Sequence, residues 1–141
     1  AGSATARGVL VDQYMRTARP GVFAAGDCAE APDMVVRGKK TICATWFEAV
    51  AQGELAGANM LLDMPRPTMG ALKMNVMETL GIAVASIGMT EPPDASARVL
   101  ASGRDGSWRK LVIAHDRIVG AVLVGDVSEA GPLATLIRRR R

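Results

Sequence analysis

Aromatic side chains are scarce in this 141-residue chain: they make up 4% of it, although hydrophobic residues make up 49%. Any core must be filled by Ala, Val, Leu, Ile and Met, and the eight methionines are expected to serve mainly as adaptable filler. Cysteine is scarce as well. The two present, Cys28 and Cys43, lie 15 positions apart, in no CxxC or Cys/His spacing. With His115 the single histidine, a zinc site built from this chain alone is not expected. Low cysteine content fits a reducing cytoplasm. No apolar run reaches the roughly 18 residues of a membrane span, so no membrane partner is expected, and no signal peptide is legible. The chain opens Ala1-Gly2 without Met, as expected of a processed or trimmed piece. Net charge is only +3, and the run Arg138-Arg139-Arg140-Arg141 carries four positives, leaving a nearly neutral body. Nucleic acid is therefore not an expected partner. No GxGxxG occurs, which excludes a dinucleotide pyrophosphate site of that type from these residues.

What is present divides at Asp63-Met64-Pro65-Arg66-Pro67, a helix-breaking segment that marks the expected boundary between residues 1–63 and 64–141. In the first part, Gly8-Val9-Leu10-Val11-Asp12 and Gly21-Val22-Phe23-Ala24-Ala25-Gly26-Asp27 read as short strands. The second is apolar without alternation, as expected of a parallel strand covered on both faces. It would deliver Asp27 to the carboxyl end of a sheet, where open α/β folds bind ligands. Residues 28–44 read as loop. A helix is expected from Thr45 to Leu62, opened by a Thr45/Glu48 capping box with Trp46 in its first turn. Gly53 and Gly57 each cost about 1 kcal/mol against Ala in a helix. Their spacing suggests close approach of another backbone or a planar ligand, or plain packing of helix on sheet. The second part changes texture. Residues 82–89, 97–102, 108–114 and 118–124 read as strands, with hairpin turns at 103–106 and 115–117. A last helix spans about 128–138, its terminal arginines favouring the helix dipole. The expected architecture is an α/β segment followed by an α+β domain, an antiparallel meander plus a C-terminal helix.

The informative stretch is Thr17-Ala18-Arg19-Pro20-Gly21-Val22-Phe23-Ala24-Ala25-Gly26-Asp27, of the form T-x-x-P-x-V-F-A-x-G-D. Gly26 removes the side chain that would block close approach, and Asp27 suits hydrogen bonding to a sugar or polyol hydroxyl. This pattern resembles the second FAD motif of the FAD-dependent pyridine nucleotide–disulfide oxidoreductases. The resemblance implies that Asp27 binds the ribityl chain of the flavin, with Gly26, Ala24 and Ala25 along the same edge. Trp46-x-x-Ala49-x-x-Gln52-Gly53-x-x-Ala56-x-x-Asn59 is similar to the family helix whose N-terminus faces the flavin pyrimidine ring. That implies cofactor contacts for Trp46 and Ala49 and a helix dipole that favours anionic reduced flavin. Residues 83–88, 109–113 and 118–126 are similar to the interface domain of the branch that holds NADH oxidase, coenzyme A–disulfide reductase and the nitrite reductase large subunit.

The resemblance as a whole implies the end of a FAD-binding domain followed by an interface domain. The parent would pass electrons from NAD(P)H through FAD to a disulfide, dioxygen, an iron–sulphur protein or nitrite. Its expected partners are N-terminal FAD and NAD domains and a second copy of itself. No catalytic residue is assigned here: Cys28 and Cys43 are ordinary neighbours of the motifs, and His115 lies outside the family's histidine motif. The alternative is a dimerisation module without catalysis. Because the pyrophosphate half of the site is absent, this chain alone is expected to bind FAD weakly or not at all. Titration followed by flavin fluorescence checks this, and sub-micromolar binding would overturn it.

Overall fold

A computed structural model describes residues 7–61 and 63–139, which form two compact units, 1–72 and 73–141. In the first unit, β1 (Val9–Leu10) pairs in parallel with β2 (Ala29–Pro32), which pairs antiparallel with β3 (Lys40–Thr41). The helix α1 (Trp46–Leu61) follows. Its observed span agrees with the expected one; Leu62 lies outside the described residues. The core gathers Val11, Met15, Ala29, Ala31 and Ala56, with Phe23, Ala24, Ala25 and Leu55 packed against it. It is an aliphatic core with one ring at its margin, as the scarcity of aromatics requires.

The strand expected at 21–27 is not a sheet strand. Arg19, Pro20 and Gly21 close a turn in which the Val22 N–H donates to the Arg19 carbonyl and the Thr17 N–H to the Val22 carbonyl. Residues 22–25 then run back beside 15–17, joined to them by a single antiparallel bridge, Arg16 with Phe23. A strand needs a continuous ladder to satisfy its backbone, and among the described residues this run has only that bridge, whose two bonds are Thr17 N–H to the Val22 carbonyl and Ala24 N–H to the Met15 carbonyl. The chain instead closes into a 3₁₀ turn at Gly26–Cys28 and enters the sheet just beyond it, as β2. The segment 28–44, read as loop, thus carries both β2 and β3.

Residues 63–72 run with the first unit. The Arg66 backbone is held by Asn59, the Thr68 N–H donates to the Gln13 carbonyl, and the Ala71 N–H to the Pro32 carbonyl. Upstream, Asp12 organises the turn after β1. Its carboxylate accepts from the Tyr14 and Arg16 N–H groups and from the Arg16 guanidinium. Partial burial raises its pKa, but these bonds outweigh that and hold the carboxyl below its ordinary range.

The second unit is a five-stranded antiparallel sheet in the order β4-β5-β8-β7-β6, made of β4 (Met74–Thr79), β5 (Ile82–Gly88), β6 (Arg98–Arg104), β7 (Ser107–Ala114) and β8 (Arg117–Val124). The last three form the expected meander, and β8 comes back beside β5. β4 was not expected, since its Met-Asn-Val-Met-Glu-Thr sequence forms a largely exposed edge without a clean alternation. Three hairpins turn on Leu80-Gly81, Asp105-Gly106 and His115-Asp116, every one of these residues at positive φ. Two central residues at positive φ are what the right-handed twist of paired strands selects. The helix α2 (Ala130–Arg139) packs on β5 and β8. It buries Leu133, Ala134 and Ile137, and the sheet buries Ala85, Ile87, Ala121 and Leu123. Arg138 and Arg139 occupy its last turn, where cations favour the dipole; Arg140 and Arg141 lie outside the described residues.

The tightest point of this unit is Gly120, where a Cβ would collide with the Met89 carbonyl oxygen as the chain leaves β5. Nothing lies within 4 Å of a Cβ built on Gly131 in α2. Gly120→Ala should therefore destabilise by roughly 2–4 kcal/mol, whereas Gly131→Ala should be neutral or stabilise by up to about 1 kcal/mol. Chemical denaturation of both variants checks this pair.

Candidate functional site

The site is built where the 3₁₀ turn meets the first turns of α1. Gly26 is buried with φ +78, a left-handed conformation that side chains disfavour. A Cβ there would sit 3.3 Å from the Ala49 Cβ, so the turn lies directly against the helix. Gly26 and Ala49 are thus brought close together as two small residues. One turn further along α1, Gln52 is 3% exposed, and its Oε1 accepts the Gly26 N–H at 2.9 Å. The Gln52 Nε2 donates to the Glu48 Oε1 at 3.3 Å.

The outcome of this packing is the presentation of Asp27. Its neighbour Gly26 is pinned from behind, while Asp27 itself is exposed. Its carboxylate accepts no hydrogen bond from the described residues and is open to a polar ligand. Cys28 follows it, also exposed, with its thiol donating to the Ala25 carbonyl at 3.4 Å. Cys43 is buried, its thiol 3.6 Å from the Leu72 carbonyl oxygen.

Trp46 begins α1 with its ring exposed and in edge-to-face contact with Phe47, centroids 5.6 Å apart. The first-turn amides of a helix have no carbonyl one turn back to accept them, which leaves a partially positive end. The expected capping box does not close over them. The Thr45 hydroxyl lies 3.9 Å from the Cys43 sulphur, and Glu48 is engaged by Gln52. Both Gly53 and Gly57 are exposed, and a Cβ on either would meet nothing within 4 Å. Among the described residues, no other backbone comes close to them there. They share an open face of α1 with Trp46, Val50 and Leu61, while Gln52, Ala56 and Asn59 line its buried side.

Sequence reasoning missed Gln52 and Asn59 as structural anchors. Asn59 is the second buried amide: its Nδ2 donates to the Tyr14 and Arg66 carbonyls and its Oδ1 accepts the Arg66 N–H. The available signal was two amides on the buried i, i+4, i+7 stripe 52-56-59, where an apolar residue is the default and a polar one must be bonded. Among the described residues no cluster of His, Cys, Asp or Glu fits a metal ion, and no helix is long and apolar enough to cross a membrane.

Comparison with known proteins accounts for both halves of the chain. Residues 1–53 match the family described as pyridine nucleotide-disulphide oxidoreductase, and residues 74–141 match the rubredoxin NAD+ reductase C-terminal domain. The chain is thus similar to pyridine nucleotide-disulphide oxidoreductases in its first part and to a reductase C-terminal domain in its second. It is 30% identical over 134 residues to the NAD(P)H nitrite reductase of Bacillus subtilis (strain 168), covering 94% of this chain and 16% of that protein. A NAD-dependent persulfide reductase from A. fulgidus superposes with a TM-score of 0.82 at 25% identity, over 99% of this chain and 29% of the other. The water-forming NADH oxidase of Lactobacillus brevis shares the fold, with a TM-score of 0.85 at 23% identity, over 99% of this chain and 35% of the oxidase. The chain thus spans less than two-fifths of the length of each of these proteins. The architecture expected from the resemblance, an α/β segment followed by an α+β interface-type domain, is the one these relatives share.

Proposed function

We propose that this chain supplies the ribityl and pyrimidine side of the FAD site in a flavoprotein that passes electrons from NAD(P)H to an acceptor. The observation that carries the reading is the open carboxylate of Asp27 on a turn clamped against the start of α1. An ionised carboxylate is an acceptor-only group, suited to the hydroxyls of a polyol chain. Gly26 keeps the turn thin enough for a cofactor edge to approach. The first-turn amides of α1 offer partial positive charge to the electron-rich end of a flavin ring, and the exposed Trp46 ring offers it an apolar surface.

FAD, when bound, supplies the chemistry, taking up a hydride equivalent from a reduced nicotinamide and releasing electrons to the acceptor. The contribution of these residues is binding, orientation and electrostatics. Gly26, Asp27, Trp46 and Ala49 hold or border the cofactor, and none of them handles the transferred hydrogen. The names of the relatives favour NADH or NADPH as donor, and nitrite or a sulphur compound is an acceptor consistent with them. A cytoplasmic setting fits the low cysteine content.

A second copy of the protein is the partner favoured by the second unit. The strand registers set Met77, Val84, Val124 and Trp108 in one row across β4, β5, β8 and β7, on the sheet face opposite the buried Ala85, Ile87, Ala121 and Leu123. Met77 and Trp108 are 52% and 40% exposed, and Ile82 and Val99 are exposed on the same face. An exposed apolar row of this kind, flanked on the same face by Asn75, Ser86 and Lys110, supports association through this sheet.

In the flavin-loaded protein, Asp27→Ala should weaken FAD retention by roughly tenfold or more, the scale of a charge-assisted hydrogen bond, and leave NAD(P)H affinity little changed. Equal loss of both with the fold intact would count against the ribityl role. Sedimentation at several protein concentrations tests the association surface. A concentration-dependent dimer is expected, and a monomer throughout would remove it.

A further inference from the structure

We propose that Gln52 is a positioning residue for the flavin: its buried amide fixes where Asp27 stands relative to the first turn of α1. This rests on the reading of Asp27 as a ribityl ligand. It deepens that reading by naming the group that sets the ligand's geometry.

Three observations converge on Gln52. Its side chain is almost wholly buried, in a helix position where an apolar residue would be the default. Its two ends are spoken for by partners of opposite kind. The Gly26 N–H can only donate and so requires the oxygen, and the Glu48 carboxylate can only accept when ionised and so requires the nitrogen. The amide orientation is therefore dictated from both sides. The third observation is the close approach one turn earlier, where a Cβ on Gly26 would sit 3.3 Å from the Ala49 Cβ. Ala49 and Gln52, three residues apart on one helix face, meet the same glycine by close approach and by hydrogen bond. Asp27 is the next residue in the chain.

The consequence concerns the site rather than bulk stability. Two flavin contacts are assigned to elements far apart in sequence, the 26–28 turn and the start of α1. The Gln52–Gly26 bond spans 26 positions and joins them. If that bond is lost, Asp27 is free to shift relative to the helix N-terminus, and a rigid cofactor can no longer satisfy both at once.

The test uses the flavin-loaded protein with four variants: Asp27→Ala, Gln52→Met, Gln52→Glu, and the exchange Glu48→Gln with Gln52→Glu. Flavin affinity and the visible flavin absorption bands are measured for each. Gln52→Met, similar in length but without the acceptor, should weaken flavin binding about five- to tenfold, the scale of one buried hydrogen bond, and alter the bands. Gln52→Glu should also weaken binding, because it faces a carboxylate with the Glu48 carboxylate. The exchange should restore most of the affinity and the wild-type bands. The introduced amide at position 48 then donates to the introduced carboxylate at position 52, which still accepts the Gly26 N–H. A merely structural role would move stability without this pattern of rescue. If Asp27→Ala weakens binding but Gln52→Met folds and binds flavin as tightly as wild type, the positioning role is overturned. If Gln52→Met does not fold, equal affinity of Gln52→Glu and the exchange overturns it instead. Unchanged binding in Asp27→Ala would mark a failure of the underlying reading.

Discussion

One hydrogen bond organises the first unit: the Gly26 N–H to the buried Gln52 oxygen. It holds the turn at 26–28 against α1, where Gly26 also comes close to Ala49. That turn is the joint between the 15–25 loop and β2. The loop contributes Met15 and β2 contributes Ala29 and Ala31 to the core, so the bond ties the helix to the segments that make the core. It also decides what stays outside. A glycine with positive φ, pinned on its inner side, leaves the following residue to face outward, and that residue is Asp27. The same constraint that closes the core thus presents the carboxylate.

The second unit rests on a different constraint, the close passage of backbone over Gly120. Gly120 pairs with Gly88 on one side and with Val112 on the other, while the Met89 carbonyl lies where its side chain would be. This packs the end of β5 tightly over β8, the strand on which α2 also rests. One face of the sheet is closed by α2, and on the other the chain leaving β5 crosses Gly120, where Val112 of the same face is fully buried.

The sequence disclosed some of this and hid some, for identifiable reasons. The helix was legible because Pro65 and Pro67 bound it on one side and its Ala-rich composition is continuous. Of the three hairpins, the turns at 103–106 and 115–117 were legible because Asp-Gly and His-Asp tolerate positive φ; the Leu80-Gly81 turn went unread together with β4. That edge strand is largely exposed, and its polar Asn75 and Glu78 blur any pattern. β2 and β3 were hidden because two- and four-residue strands are set by their pairing partners rather than by propensity. The run 21–27 misled for the converse reason. It has the composition of a buried strand, but pairing decides a strand, and only Arg16 faces Phe23 across a bridge. At the site, Gly26, Asp27, Trp46 and Ala49 were singled out by the resemblance of their motifs to those of the family. The anchor Gln52 stood inside the same motif, but its role depends on a contact 26 residues away that no local pattern reveals.

The central claim is that Asp27 and the start of α1 hold one flavin between them. The most direct measurement is a crystal structure of the flavin-loaded protein. It should show the Asp27 carboxylate about 2.5–3.0 Å from a ribityl hydroxyl, with the pyrimidine edge of the ring over the first turn of α1 and the Gln52–Gly26 bond intact. A flavin bound elsewhere, or one seated there with Asp27 turned to solvent, would contradict the account.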